Sequence, residues 1–192
     1  MGSNNFLGMT IYKCDVMNLS NAVEDLDLYY GKDKNQLELI TLADLLAKKG
    51  GSHSKFLRHI SVYLKVIAPR FWWVQFDTYK FAEKQSQSTM TTILKEPITQ
   101  SNFSYPIPET YISYLNEIRE KKDWLALKCL LPESFLQTRG ITTNYDSLRK
   151  IYHDRANHKL PQWKFFCEYL ENYLIKSEWI TNKWEFMISS IS

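Results

Sequence analysis

From Ile60 the chain alternates. Ile60, Val62 and Leu64 are apolar, whereas Ser61, Tyr63 and Lys65 are not, which is the period of two expected of a half-buried strand. Residues 37–49 keep a helical period instead: Leu39, Leu42 and Leu46 recur at spacings of three and four, with Ala43 and Leu45 beside them. Gly50-Gly51 then supplies a C-terminal stop. Residues 1–35 mix short strand-like runs, as at 9–12, with polar turns, and the charged stretch 30–36 reads as a loop. Ala68-Pro69 opens a second helix, with the proline in its first turn, expected over about 68–84. Residues 102–108, with two prolines, form a loop, and 111–128 predict one or two helices. A helix over 144–158 and a last long one over 162–176, after Pro161, complete the order. No repeat, low-complexity stretch or linker interrupts it, so the expectation is one α+β domain over 1–192, rich in helix.

Composition adds limits rather than a function. A chain of 192 residues with 44% hydrophobic content buries a sizeable core, and 15% aromatic residues, with Trp72 and Trp73 adjacent, argue for dense packing or large interfaces. The net charge of +3 comes without a dense Lys/Arg run, so nucleic acid is not an expected partner. Cys14, Cys129 and Cys167 are odd in number and lack C-x-x-C spacing, which reads as reduced thiols, not a disulfide framework or zinc site. Lys65 and Arg70 interrupt the longest apolar run, and no secretory leader is evident, so a cytoplasmic protein without a membrane partner is expected. No H-E-x-x-H, Walker A or G-x-G-x-x-G appears, so no metal is expected and a nucleotide would need another cradle.

Candidate chemistry begins at Arg155. Leu148, Tyr152 and Arg155 fall at i, i+4 and i+7, sharing a stripe with Ile151, so the guanidinium lies on an apolar helix face. Two readings follow. The cation snorkels to water at the rim of the stripe, or it meets an anionic ligand or carboxylate that compensates its burial.

The surrounding residues are Leu131-Pro132, Thr142, Asn144, Ser147-Leu148, Arg155, His158 and Pro161-Gln162-Trp163. This stretch resembles the C-terminal motif of the flavin-dependent thymidylate synthases of the ThyX type, with one extra residue between Arg155 and Gln162. Upstream, Gly51-Ser52-His53-Ser54 with Phe56 and His59 resembles the family's Gly-His-x-Ser-x-x-Glu-His turn, Arg58 standing for the Glu. Ala68-Pro69, Phe71 and Gln75 lead without a gap into the family's defining Arg-His-Arg motif, here Thr78-Tyr79-Lys80, followed after seven residues by Ser88. Ser88 is retained, but Ser86 stands for a Glu and Met90 for a nucleotide-facing Arg, while Lys128 stands for another nucleotide-binding Arg. The resemblance covers roughly residues 36–165. The W-W-x-x-F-D-T-Y-K run and Ser88-Thr89-Met90 look like a divergent branch of the family in Gram-positive bacteria and their phages.

The resemblance implies a ThyX-like α+β fold, helix-rich with a small, mostly antiparallel sheet, and a homotetramer whose sites draw on several subunits. It implies FAD as cofactor, a dUMP-like pyrimidine nucleotide as substrate, and methylenetetrahydrofolate and NADPH as co-substrates. Ser88 and Arg155 take the catalytic positions. His53, Thr78, Tyr79, Lys80, Asn144 and His158 take those at the flavin, and Gln75, Ser88, Lys128 and Arg155 those at the nucleotide. Lys80 replaces an arginine as a point charge without its bidentate fork. Tyr79 and Met90 supply no charge at neutral pH, so weakened reductive methylation of dUMP is one reading. A ThyX fold without catalysis, kept for nucleotide binding or as a phage accessory factor, is a second. A reaction on a different pyrimidine nucleotide is a third.

Overall fold

The computed structural model describes residues 4–30 and 34–184, with side chains from residue 7 onward except that of Met90. Strands β1 (Asn4–Phe6) and β2 (Met9–Met17) come first, then helices α1 (Leu19–Glu24), α2 (Asp27–Tyr30) and α3 (Gln36–Lys49). A 3₁₀ segment (Gly51–Arg58) leads to β3 (Ser61–Pro69) and α4 (Arg70–Phe76), then β4 (Glu83–Ser86) and α5 (Thr89–Thr92). Helices α6 (Glu109–Glu120) and α7 (Trp124–Leu130) precede β5 (Leu136–Asn144), and α8 (Tyr145–Arg155), α9 (Pro161–Tyr173) and α10 (Glu178–Thr181) follow it. The class is α+β, as the element pattern implies.

The chain forms two compact units, each made of two segments. The first takes Met1–Asp15 and Tyr63–Thr142. Its sheet has the order β1-β2-β3-β5-β4, with β1 antiparallel to β2 and β4 antiparallel to β5. The alternation read around residue 62 is real: Leu64, Val66 and Ala68 are buried, and the residues between them half-buried. Trp72, Trp73 and Phe76 on α4 are wholly buried, with the Trp72 and Phe76 rings stacked 5.1 Å apart and the two tryptophans edge to face at 4.9 Å. Trp73 Nε1 donates to the Gln137 carbonyl at 3.1 Å, which satisfies the indole inside the core. A second apolar cluster joins Ile93, Ile98 and Phe103 to Ile112, Leu115, Ile118 and Leu127 from α6 and α7.

The second unit takes Val16–Val62 and Thr143–Ser192. Helix α3 starts on a capping box in which Asn35 accepts from the Glu38 N–H at 3.1 Å and Glu38 returns an acceptor to Asn35 at 2.8 Å. It ends at Gly50, whose φ of 69° belongs to the left-handed region, as the glycine pair predicts. Leu39, Ala43, Leu46 and Ala47 bury its inner face. Arg149 of α8 donates to the Ala47 carbonyl at 2.7 Å, and burial holds its pKa below the usual arginine value. Asp44 accepts from Lys176 at 3.0 Å and from Trp179 Nε1 at 2.7 Å, tying α10 to α3.

The helix expected over 68–84 is corrected. It ends at Phe76, because Asp77 turns its carboxylate to Arg139 and Lys84, and residues 83–86 gain ladder bonds with β5. Pairing that is distant in sequence overrides local propensity there. Strand β5, helices α1 and α2 and the 3₁₀ segment were outside the sequence reading. The run 111–128 is two helices broken at Lys122, whose φ is 59°. Part of the loop expected over 30–36 lies outside the described residues.

Candidate functional site

Site residues fall in both units, and each unit is taken alone. In the first, Gln75 closes α4 and its carbonyl accepts from Thr78 Oγ1 at 2.8 Å, making the turn that carries Tyr79 and Lys80. Tyr79 packs 6.2 Å from the Phe76 ring, and Lys80 is exposed. These residues therefore sit on a loop between α4 and β4, not inside a helix. Ser88 caps α5: its Oγ accepts from the Thr91 N–H at 3.3 Å and lies 3.0 Å from Thr91 Oγ1. It is exposed, as is Ser86.

Thr89 and Lys128 line one cavity of about 240 Å³ together with Arg70, Val74, Leu131, Gln137 and Arg139. Three lining side chains are cationic and none is a carboxylate. Arg139 was not singled out from sequence, because β5 had not been read as a strand, and Arg70 was read only as a break in an apolar run. Arg139 Nη1 lies 3.0 Å from both Asp77 oxygens, and Nη2 donates to Gln137 Oε1 at 3.2 Å. Its guanidinium lies over the Trp73 ring at 4.5 Å. Arg70 Nη1 donates to the Leu131 carbonyl at 2.9 Å, with Nη2 3.5 Å from Glu133. Lys128 is exposed and makes no ion pair among the described residues. A larger cavity, about 660 Å³, opens on the sheet face and is lined by Tyr12, Tyr63, Lys65, Lys84 and Gly140.

In the second unit, His53 and His59 line a cavity of about 620 Å³ with Tyr29, Tyr30, Lys55 and Phe56. That volume suits a small-molecule ligand, for which pockets of about 300–1,000 Å³ are usual. Asn144 caps α8, its Oδ1 accepting from the Ser147 N–H at 2.9 Å. Arg155 closes the same helix half-buried, its guanidinium 4.8 Å from the Trp163 ring. Asn144 and Arg155 lie eleven residues apart, about 16 Å along the axis, so they do not meet on one small group. His158 Nδ1 accepts from the Leu160 N–H at 3.1 Å. Burial first, then Arg155 and Lys159, keep this imidazole's pKa below its usual value, so it is neutral at pH 7. His153 is exposed.

Among the described residues, no group of three or more His, Cys, Asp or Glu side chains forms a metal site. No helix there is long and apolar enough to cross a membrane.

This fold is that of the ThyX flavin-dependent thymidylate synthases. Two structures of ThyX from Helicobacter pylori, both with FAD and dUMP, have TM-scores of 0.66 and 0.62 at 16% identity. The first match covers 88% of this chain and 97% of that one, and the second 90% and 95%. A UMP/dUMP methylase, PolB from Streptomyces cacaoi bound with 5-Br dUMP, has a TM-score of 0.60 at 13% identity, covering 85% and 87%. At these identities the likeness is one of fold. No protein-family profile matches the chain, and no curated sequence does.

Proposed function

We propose that the chain binds a pyrimidine nucleoside monophosphate on a ThyX-type scaffold, with FAD as its cofactor and with weak or absent methylation of dUMP. The observation that carries the reading is the carboxylate-free cavity of the first unit. There Lys128, at a nucleotide position of the sequence motif, opens with Thr89 beside the retained Ser88. Its positive lining matches a phosphate, and the fold neighbours hold dUMP or a brominated analogue.

Thr78, Tyr79 and Lys80 take the place of the family's cationic triad at the flavin. Their loop is set by Gln75 and Phe76, and it offers one ammonium in place of two guanidiniums and an imidazole. Losing one preorganised electrostatic contact typically costs about 10²- to 10³-fold in rate, which is why little dUMP methylation is expected. FAD fits the donor set only in part: His53 lines a cavity of suitable size, while the Asn144 oxygen is committed to a helix cap. When bound, the flavin supplies the redox chemistry. The chain's own part is to orient the nucleotide through Ser88, Gln75 and Lys128 of the first unit, with Arg155 of the second unit kept as a separate anion contact.

As in the family, the site belongs to a homotetramer in this proposal. The test titrates purified full-length protein with dUMP, UMP and FAD and asks whether the gene rescues a thymidine-requiring strain. Nucleotide binding without rescue is expected. Robust rescue would establish a working synthase, and binding of no nucleotide would remove the proposal.

A further inference from the structure

We propose that the cavity between α4, α7 and β5 is a phosphate-monoester subsite and that Arg139 is its anchoring donor. This rests on the nucleotide reading above and goes beyond it, because no motif in the sequence points to position 139. A guanidinium carries five N–H donors in one rigid plane. One Nη1 proton is shared between the two Asp77 oxygens and one Nη2 proton reaches Gln137, which leaves Nε–H and one proton on each Nη. Nε is buried and meets no acceptor. With Nε out of contact, the donors that Arg139 offers to an oxyanion in the cavity are the protons left on its two Nη atoms.

The unused edge is held ready. The side chain is only 15% exposed, Trp73 fixes its plane from one face, and Asp77 fixes its rotation. A donor already immobilised loses little freedom on binding, and guanidinium is the side chain whose fork matches oxyanion geometry. Arg70 and Lys128 add two cations to the same lining. At about 240 Å³ the cavity is smaller than the usual range of about 300–1,000 Å³ for a whole ligand, so it takes the phosphate and leaves sugar and base outside. The positive charge missing at Met90 is thus supplied from strand β5.

The experiment titrates the full chain with dUMP, deoxyuridine and inorganic phosphate, comparing wild type with Arg139→Lys and Lys128→Gln. Arg139→Lys keeps the charge but loses the fork. Lys128→Gln changes an exposed residue without an ion-pair partner among the described residues, so folding is spared even where the first variant fails to fold. Each variant is expected to lose about 10- to 100-fold in dUMP affinity, the value of one charge-assisted hydrogen bond, with deoxyuridine unchanged. Unaltered dUMP affinity in both variants overturns the subsite and leaves the nucleotide reading standing. Phosphate binding that the variants weaken, with no dUMP binding, supports the subsite and rejects the pyrimidine reading. Binding of neither overturns both.

Discussion

Replacing Asp77 by Asn removes one charge between two cations and moves stability and anion affinity in opposite directions. Asp77 lies 3.0 Å from Arg139 and 3.2 Å from Lys84, whose side chains are 15% and 21% exposed. Truncating one partner of a fully buried pair costs about 3–5 kcal/mol. Asp77 itself is 43% exposed, so water screens part of this, and Asn keeps an acceptor oxygen for one Nη1 bond. A loss of about 1–2.5 kcal/mol remains, the charge-assisted part of the contact. For a chain of this length about 2–4 °C of Tm follows each kcal/mol, so the midpoint should fall by about 2–10 °C. The neighbouring cavity meanwhile loses a nearby negative charge. At roughly 7 Å and a dielectric constant of about 40–80, one unit charge is worth about 0.6–1.2 kcal/mol, so phosphate should bind about three- to eightfold tighter. Thermal unfolding followed by circular dichroism, with and without phosphate, reads both effects. Unchanged stability would show that Asp77 is not the partner that holds Arg139, and weaker phosphate binding would refute the electrostatic argument for the cavity.

Four further outcomes are expected. Lys183, bonded at 2.6 Å, holds the Glu171 carboxyl below the usual carboxylate range; this stabilisation is present above about pH 4.3 and is lost as pH falls through the lower folded value. Lys183 is raised first by Glu171 and Tyr152 first by burial, so their contributions are full below about pH 10 and fade above it; pH-dependent urea unfolding of wild type and Glu171→Gln should differ at both edges. Cys167 is buried with its thiol pushed up to about 12, so Ellman's reagent at pH 8 should modify exposed Cys129 quickly and Cys167 only on unfolding; rapid native modification of Cys167 would contradict its burial. Gly8→Ala should cost about 2 kcal/mol or more in denaturant unfolding, because φ is +76° and a Cβ would lie 2.8 Å from the Ser104 backbone. Arg155→Ala should weaken dUMP binding by about 1.5–3 kcal/mol with little change in Tm; a large Tm loss with unchanged binding would make the Arg155–Trp163 stack purely structural.

Elements whose signals are local were legible in the sequence. Gly50-Gly51 ends α3, Pro161 opens α9, and Leu148, Ile151 and Tyr152 bury the face of α8 as their spacing requires. The adjacent tryptophans are core, which their bulk predicts. What depends on distant pairing was not legible. Residues 77–84 carry enough helix formers to continue α4, and only the ladder with β5 and the Asp77–Arg139 pair stop it. Missing β5 hid Arg139 with it. Thr138, Gly140 and Thr142 line the cavity on the sheet face while Gln137 and Arg139 line the smaller one, and that alternation is visible only once the strand is known. Asn144, placed at the flavin by resemblance, has its oxygen occupied as a helix cap, a role that its position before Tyr145 already allows.

The interleaved segments set an order on synthesis. The first unit closes on residues 63–142 and needs only the first fifteen from far upstream. Residues 16–62 pack α1, α3 and the 3₁₀ segment on one another, but the second unit is complete only when the chain beyond 142 emerges. A nascent chain stalled just after residue 142 has cleared the ribosome would therefore carry the first unit while the second still lacks α8 to α10, with α3 packed only on α1 and the 3₁₀ segment. Protease added to such stalled chains should cut within residues 16–62 first. Appending α8 to α10 should then protect that region further, because α8 packs on the 3₁₀ segment and α10 on α3.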